Sequence, residues 1–244
     1  MTARPSLVRR ALAEFLGTGL LVTVVVGSGI AAQRLSTDGG LRLLENSTAT
    51  VFGLSVLILL LGPVSGAHFN PVVSATDALL GRRAGTGLSG RELGVYVVAQ
   101  VVGGIGGAVL ANLMFEVPTA IATTQRVTAG TLLGEVVATA GLVLLITGLT
   151  RAGQTLPVIA VAVGVYIGAA YWFTSSTSFA NPAVTIGRVF TDTFAGIAPA
   201  SVLPFLAAQI LGATIAVVTA VFLFTAPAPA GPHRAAAVSK EPLA

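Results

Sequence analysis

The chain has 244 residues, of which 54% are hydrophobic and 9% are charged, and its mean hydropathy is +0.91. A soluble domain of this composition would have too little polar surface, so the composition predicts a protein that crosses a membrane several times. The net charge of +4 is spread between apolar segments, which argues against a nucleic-acid-binding face. With no cysteine and two distant histidines, His68 and His233, neither a metal site nor a cofactor is expected.

Three segments in the first half are apolar enough to span a bilayer, which requires about 20 residues. They lie at residues 10–32, 47–65 and 92–115. The first carries Glu14 near its start and has no obvious small-residue cleavage site, so we interpret it as a retained span and not as a signal peptide.

A shorter segment, residues 70–81, lies between the second and third spans and begins with Asn70, Pro71 and Val72. Asn is a favoured N-cap and Pro suits the first helical position, so this segment is predicted to be a half-helix buried among the spans. Irregular backbone precedes it, and its unpaired peptide groups are tolerated only where they line a cavity. The residues of this stretch are Gly66, Ala67, His68 and Phe69.

The second half repeats this order. Its spans are predicted at residues 131–150, 156–176 and 201–225. A second short segment, residues 181–191, begins with Asn181, Pro182 and Ala183 and follows irregular backbone at Phe179 and Ala180. Residues 1–225 are therefore predicted to form one transmembrane domain, and the Pro-rich stretch within residues 226–244 predicts a disordered tail.

Local similarities support two repeats, at about residues 8–116 and 130–225. The segment that begins at Ala13 resembles the one that begins at Gly134, which pairs Glu14 with Glu135, and the segment around Gln100 resembles the one around Gln209. Three spans per repeat place the halves in opposite orientations, so the half-helices enter from opposite faces and meet near the midplane. Nine of the thirteen basic residues fall on the side of the termini, which predicts that both termini are cytoplasmic.

The doubled motif resembles the aquaporin (major intrinsic protein) family. The residues that carry the resemblance are Ser65 to Val73, Ser178 to Thr185 and the paired Glu14 and Glu135. The resemblance implies an all-α bundle of six transmembrane helices and two half-helices, and a homotetramer with one pore per subunit. The second motif, with Tyr171-Trp172-Phe173-Thr174 before it, is similar to the bacterial aquaglyceroporin branch associated with arsenic resistance. This implies a channel in the bacterial cytoplasmic membrane.

The half-helices direct their positive N-terminal ends at the pore centre, where the potential opposes cations. Asn70 and Asn181 are expected to cap these ends and to offer N–H donors to a passing solute. Glu14 and Glu135 are interpreted as acceptors for the backbone N–H groups of the two loops, with a proton relay as the alternative. The side chain of His68 either lines the pore or packs against its wall.

By resemblance, the narrowest ring of the pore has four positions, which are Thr50, Ala169, Ser178 and Val184. Relatives that are selective for water or glycerol normally have Arg at the last position. Its replacement by Val predicts a wide, weakly polar ring. Arg188 lies two helical turns after Asn181, so it either reaches the vestibule or only snorkels and bonds a loop.

Such a ring suits small neutral solutes, and the resemblance implies arsenite, methylated arsenicals and glycerol, with urea and water as further candidates. Two alternatives stay open at this point. One is an ordinary water or glycerol channel, and the other is a secondary transporter, which also uses inverted repeats and broken helices. The sequence contains no nucleophile–base pair, so no enzyme is expected.

Overall fold

The chain folds into a helical bundle. The structure is a computed structural model that describes residues 4–82 and 85–224. Its helices are α1 (Leu7–Leu35), α2 (Gly39–Ser65), α3 (Pro71–Gly81), α4 (Gly90–Met114), α5 (Ala129–Arg151), α6 (Leu156–Phe173), α7 (Pro182–Gly187) and α8 (Pro199–Leu223). A short 3₁₀ helix, Arg188–Phe190, follows α7. The predicted disordered tail, residues 226–244, lies outside the described residues.

Six of these helices are long and apolar enough to cross a membrane, which confirms the predicted all-α membrane fold. Three of them, α1, α2 and α5, extend beyond the predicted spans because hydropathy detects only the part of a helix that lies in hydrocarbon, whereas α6 ends at Phe173, three residues before its predicted end. The helix α2 shows this, since it begins at Gly39 and not near residue 47. The side chain of Asp38 caps its first turn by accepting the N–H of Leu41 at 2.7 Å.

The two short helices start where the Asn-Pro pairs predict. The side chain of Asn70 accepts the N–H of Val72 at 3.1 Å, and that of Asn181 accepts the N–H of Ala183 at 2.9 Å. The second of these helices is shorter than predicted, because the chain tightens into the 3₁₀ helix after Gly187. At Gly187 the backbone passes so close to α4 that an added Cβ would lie 2.6 Å from the carbonyl oxygen of Gly104.

Equivalent helices of the two repeats pack in the same way. An added Cβ at Gly103 of α4 would lie 2.3 Å from the carbonyl oxygen of Phe15 in α1. In the second repeat, an added Cβ at Gly212 of α8 would lie 2.4 Å from the carbonyl oxygen of Val136 in α5. Glycine at both positions lets the backbones of the paired helices touch. This close contact fixes the helices that carry Glu14 and Glu135.

Candidate functional site

The two half-helices meet end to end in the middle of the bundle, and each asparagine binds the loop of the other repeat. Asn70 Nδ2 donates to the carbonyl of Ala180 at 2.8 Å, and Asn181 Nδ2 donates to the carbonyl of Phe69 at 2.8 Å. Each asparagine thus uses its oxygen to cap its own helix and its nitrogen to hold the opposite loop. We call this arrangement of Phe69, Asn70, Ala180 and Asn181 the junction.

The loops before the half-helices have an unusual backbone. Ala67 and Phe69 in the first loop, and Ser178 and Ala180 in the second, have φ angles between 47° and 51°. Non-glycine residues rarely adopt this left-handed conformation, which costs of order 1–3 kcal/mol at each position. Such a backbone persists only where neighbouring groups hold it in place.

Two buried carboxylates hold the loops. Glu14 accepts the N–H of His68 at 3.0 Å and that of Phe69 at 2.7 Å. Glu135 accepts the N–H of Phe179 at 2.8 Å and that of Ala180 at 2.9 Å. The two carboxylates therefore occupy the same place in the two repeats, at the back of each loop.

A buried glutamine completes each of these networks. Gln100 Nε2 donates to Glu14 at 2.7 Å and to Ser74 Oγ at 2.9 Å. Gln209 Nε2 donates to Glu135 at 2.6 Å and to Thr185 Oγ1 at 2.9 Å. Each glutamine thus connects a carboxylate to the half-helix of the same repeat.

A cavity of about 550 Å³ opens at the end of the bundle that the 3₁₀ helix faces. We call it the Arg188 vestibule. Its wall contains Gln33, Gly39, Leu43, Asn46, Thr124, Arg126, Thr177, Arg188, Asp192, Thr193 and Phe194. Asn46 in its wall lies one helical turn before Thr50 on α2.

A second cavity, of about 280 Å³, lies next to the loop before α3 and contains His68, Asp77 and Arg10 in its wall. We call it the Arg10 vestibule. The guanidinium of Arg10 pairs with Glu92, and its Cζ lies 5.9 Å from the ring centroid of Tyr96. His68 packs edge-on against the same ring, with its Nδ1 3.0 Å from Ser74 Oγ. The half-buried side chain of His68 therefore both packs and lines this cavity.

The structure corrects one position of the predicted ring. Ala169 lies on the exposed face of α6 with Val161 and Val165, so it does not face Thr50. Tyr171, two residues later and thus on the opposite face of the helix, is only 4% exposed. Its hydroxyl lies 3.2 Å from Thr50 Oγ1. The count back from Asn181 assumed a fixed length for the loop between α6 and Asn181, and it leads to a residue on the outward face of α6.

The hydrogen bonds at Thr50 fix the orientation of the phenol. Thr50 donates its single hydroxyl proton to the carbonyl of Asn46 at 2.8 Å. The tyrosine hydroxyl is therefore the donor in the contact with Thr50, and its oxygen accepts no hydrogen bond from any other described residue. Tyr171 offers an acceptor where Ala169 would have offered a methyl group.

Ser178 follows Thr177, which lines the Arg188 vestibule, and Val184 lies in α7 between Asn181 and Arg188. Both are buried, and the Val184 side chain belongs to the same apolar cluster as Tyr171. The Ser178 hydroxyl has no hydrogen-bond partner within residues 4–82 and 85–224. Both side chains are uncharged.

Arg188 lies in the vestibule wall and is only 4% exposed. Its Nε donates to the carbonyl of Ala195, and its Cζ lies 3.4 Å from the ring centroid of Phe179. Arg188 therefore lines the vestibule and also bonds a loop. The two alternatives expected from the sequence, reaching the vestibule or bonding a loop, are both realised.

Sequence reasoning missed roles for four residues. Gln100 and Gln209 occupy equivalent positions in the internal repeat, and this equivalence could have predicted that they have the same role in the two halves. Tyr171 was visible only as part of an aromatic run. Arg126 lies between α4 and α5 in a segment without helical periodicity, so no local pattern distinguished it.

Comparisons with known proteins agree with this architecture. The sequence profile of the family described as Major intrinsic protein matches residues 1–178. The chain is 49% identical over 213 residues to the aquaglyceroporin AqpS of Rhizobium meliloti (strain 1021), covering 86% of this chain and 88% of that protein. It is 38% identical over 112 residues to the glycerol uptake facilitator protein of Pseudomonas aeruginosa, covering 46% and 38% of the two chains.

A solved structure shares the fold. The X-ray structure of the aquaglyceroporin from Plasmodium falciparum superposes with a TM-score of 0.67 at 22% sequence identity. The match covers 89% of this chain and 95% of that one. At this level of identity, the likeness concerns the fold alone.

Proposed function

The chain belongs to the major intrinsic protein family, and we propose that arsenite, methylated arsenicals and glycerol are its main solutes, with urea and water as further candidates. It is a multi-pass membrane protein and an aquaglyceroporin-type channel, which is passive and not an enzyme. A passive channel needs no coupling ion, so the transporter alternative is set aside.

The proposed solutes follow from the side chains of the ring, here taken as Thr50, Tyr171, Ser178 and Val184. None of the four is charged, and each is at most 5% exposed. A phenol is bulkier than the small side chains of the ring expected from sequence, so we propose a ring that is narrower than that one. The hydroxyl groups of the ring suit a solute that both donates and accepts hydrogen bonds, such as a polyol or a neutral metalloid hydroxide.

Two features of the relatives support this proposal. The relative from Rhizobium meliloti is named an aquaglyceroporin, and the relative from Pseudomonas aeruginosa is named a glycerol uptake facilitator. Arsenite is uncharged near neutral pH and resembles a small polyol in its hydroxyl groups. The ring has Val184 in place of the filter arginine, so it lacks the positive charge and the N–H donors of that residue. A neutral solute such as arsenite can pass such an uncharged ring.

We propose further that the channel lies in a bacterial cytoplasmic membrane with both termini in the cytoplasm, as a homotetramer with one pore per subunit. The distribution of basic residues supports this orientation. With both termini in the cytoplasm, the Arg188 vestibule opens to the outside of the cell. Numerous large apolar side chains are exposed on the outer faces of the helices, Phe52 and Val56 among them, and provide surface for lipid or for neighbouring subunits.

The proposed function is tested by replacing Val184 with Arg. An arginine adds bulk and a planar cation with five N–H donors to the ring, so flux of arsenite and glycerol should fall relative to that of water. The measurement is stopped-flow light scattering on reconstituted liposomes, with water, glycerol, urea and arsenite compared in one preparation. Arg188→Ala serves as the matched variant, since it removes a cation from the vestibule and leaves the ring unchanged.

The outcomes separate the alternatives. An unchanged arsenite-to-water ratio in assembled Val184→Arg protein would remove the basis for metalloid substrates. A larger change in Arg188→Ala than in Val184→Arg would assign the filter to Arg188. If liposomes with the wild-type protein pass glycerol but no arsenite, the protein is an ordinary water and glycerol channel.

A second prediction separates Tyr171 from Ala169. Replacing Tyr171 with Ala removes the phenol and its acceptor, so flux of glycerol should rise and the preference among solutes should weaken. Replacing Ala169 with Leu adds bulk on the outward face of α6, so flux should stay unchanged. The same light-scattering assay measures both variants. Reduced glycerol flux in Ala169→Leu, with wild-type flux in Tyr171→Ala, would restore the original prediction.

A further inference from the structure

We propose that the Arg188 vestibule binds a small oxyanion between the guanidinium groups of Arg126 and Arg188. The proposal concerns a ligand other than the solute that the channel passes. It is based on the surroundings of these two arginines and on the polar groups that share the cavity with them.

The two cations converge on one aromatic ring. The Cζ atoms of Arg188 and Arg126 lie 3.4 Å and 5.4 Å from the centroid of Phe179. The two guanidinium groups are therefore close enough to repel each other, and they contact the same aromatic ring. Burial lowers the pKa of Arg126, but arginine starts so far above neutral pH that it remains charged.

Neither cation has a carboxylate partner within salt-bridge distance in the described part of the chain, where Arg4 and Arg10 pair with Glu92. Arg126 donates instead to the carbonyls of Gly196 at 2.6 Å and Phe194 at 2.8 Å, and Arg188 donates to the carbonyl of Ala195. Three consecutive carbonyls thus accept from two cations. Carbonyl dipoles orient the side chains, but no carboxylate among the described residues contacts either guanidinium directly.

The carboxylate in the wall of the vestibule is already engaged. Asp192 accepts the N–H of Thr123 at 2.9 Å and its hydroxyl at 3.0 Å. The two nitrogens at the tip of Arg188 make no hydrogen bond to any described residue, although the side chain is buried and lines the cavity. These N–H groups are available to a ligand that enters the vestibule.

The chemistry of the wall favours an oxyanion over a simple halide. A guanidinium presents its N–H groups as a fork that matches two oxygens of one ligand. Thr124 and Thr177 line the same cavity, and their hydroxyl groups can donate to the remaining oxygens. An oxyanion between the arginines also relieves their mutual repulsion. Asn46 and Thr177 in the vestibule wall lie one helical turn from Thr50 and next to Ser178, so a bound anion would obstruct the entry of neutral solutes at this end.

The test measures binding of inorganic phosphate to the purified full-length protein at constant ionic strength, by equilibrium dialysis with labelled phosphate. We expect saturable binding to the wild type, and a loss of about tenfold or more in affinity for Arg126→Gln and for Arg188→Gln. Arg34→Gln is the matched control. Arg34 also donates to a carbonyl and stacks on a phenylalanine, Phe115, but does not line the cavity. If Arg188→Gln fails to fold, Arg188→Lys keeps the charge but loses the fork, and its affinity should fall as well.

Several results would overturn the proposal. They are absence of saturable phosphate binding to the wild type, binding that survives the changes at both arginines, and binding that Arg34→Gln reduces equally. Chloride that competes as strongly as phosphate would reject the oxyanion preference. In liposomes, phosphate should reduce glycerol flux through the wild type and not through Arg126→Gln. If phosphate binds but does not reduce the glycerol flux, the bound anion does not obstruct solute entry. Because binding is measured in the absence of transport, its failure is distinguishable from a failure of the proposed solute flux.

Discussion

Replacing Asn70 or Asn181 with Asp should make the channel leak cations and should weaken the junction. A carboxylate can still cap the half-helix, since Asp is a good N-cap. The carboxylate has no N–H to donate, however. In the wild type each asparagine Nδ2 lies 2.8 Å from a carbonyl oxygen of the opposite loop, and in the Asp variant a carboxylate oxygen would face that carbonyl instead. The negative charge would also offset the positive helix ends that oppose cations.

The expected loss of stability is about 1–3 kcal/mol for each substitution, the usual cost of a buried polar group without its partner. Thermal unfolding in detergent measures it, and potassium release from liposomes measures the leak. Asn112→Asp is the matched control, because Asn112 is also buried and donates to a carbonyl, that of Phe190, at 2.9 Å. It lies away from the half-helix N-termini, so it should lose stability without a leak. Two Asp variants with unchanged flux, stability and cation exclusion would show that the junction does not have this role.

Replacing Glu14 or Glu135 with Gln should reduce stability more than it alters selectivity. Glu14 accepts two backbone N–H groups, the Ser65 hydroxyl at 2.6 Å and the Gln100 amide at 2.7 Å. A glutamine has one acceptor oxygen, and its NH₂ group would face donors. At least one buried donor per loop would lose its acceptor, at a cost of about 1–3 kcal/mol each, and the left-handed loop residues would lose their support.

Glu45→Gln is the control for both carboxylates. Glu45 has a buried carboxylate oxygen that no described residue hydrogen-bonds, so removing its charge should leave stability unchanged or raise it. Thermal unfolding and the yield of assembled protein measure the effect, and solute flux across a range of pH measures any transport role. Stable Gln variants that abolish a strong pH dependence of transport would instead identify Glu14 and Glu135 as a proton relay.

Much of the fold was predictable because its signals are local and occur twice. The apolar segments gave the spans, and the Asn-Pro pairs gave the starts of α3 and α7. The pairing of Glu14 with Glu135 predicted two carboxylates in equivalent places. Repetition made each signal stronger, because an odd number of spans per repeat constrains where both copies lie.

The ring was less predictable because it depends on the path of a loop. Tyr171 lies two positions after Ala169, and on a helix this spacing exchanges the outward face for the inward one. Counting from Asn181 fixes that face only if the length of the loop after α6 is known. Arg126 was missed for a related reason, since its contacts with residues 194–196 connect segments far apart in the sequence.

The reciprocal bonds of the junction also bear on how the protein is made. Asn70 and Phe69 emerge from the ribosome long before Ala180 and Asn181, yet each finds its partner only in the later repeat. The first repeat therefore enters the membrane with an unpaired amide and an unpaired carbonyl at its re-entrant loop. Its half-helix can settle only after the second has arrived from the other side of the bilayer. Neither repeat can complete the junction alone, so both must be in the membrane before it closes.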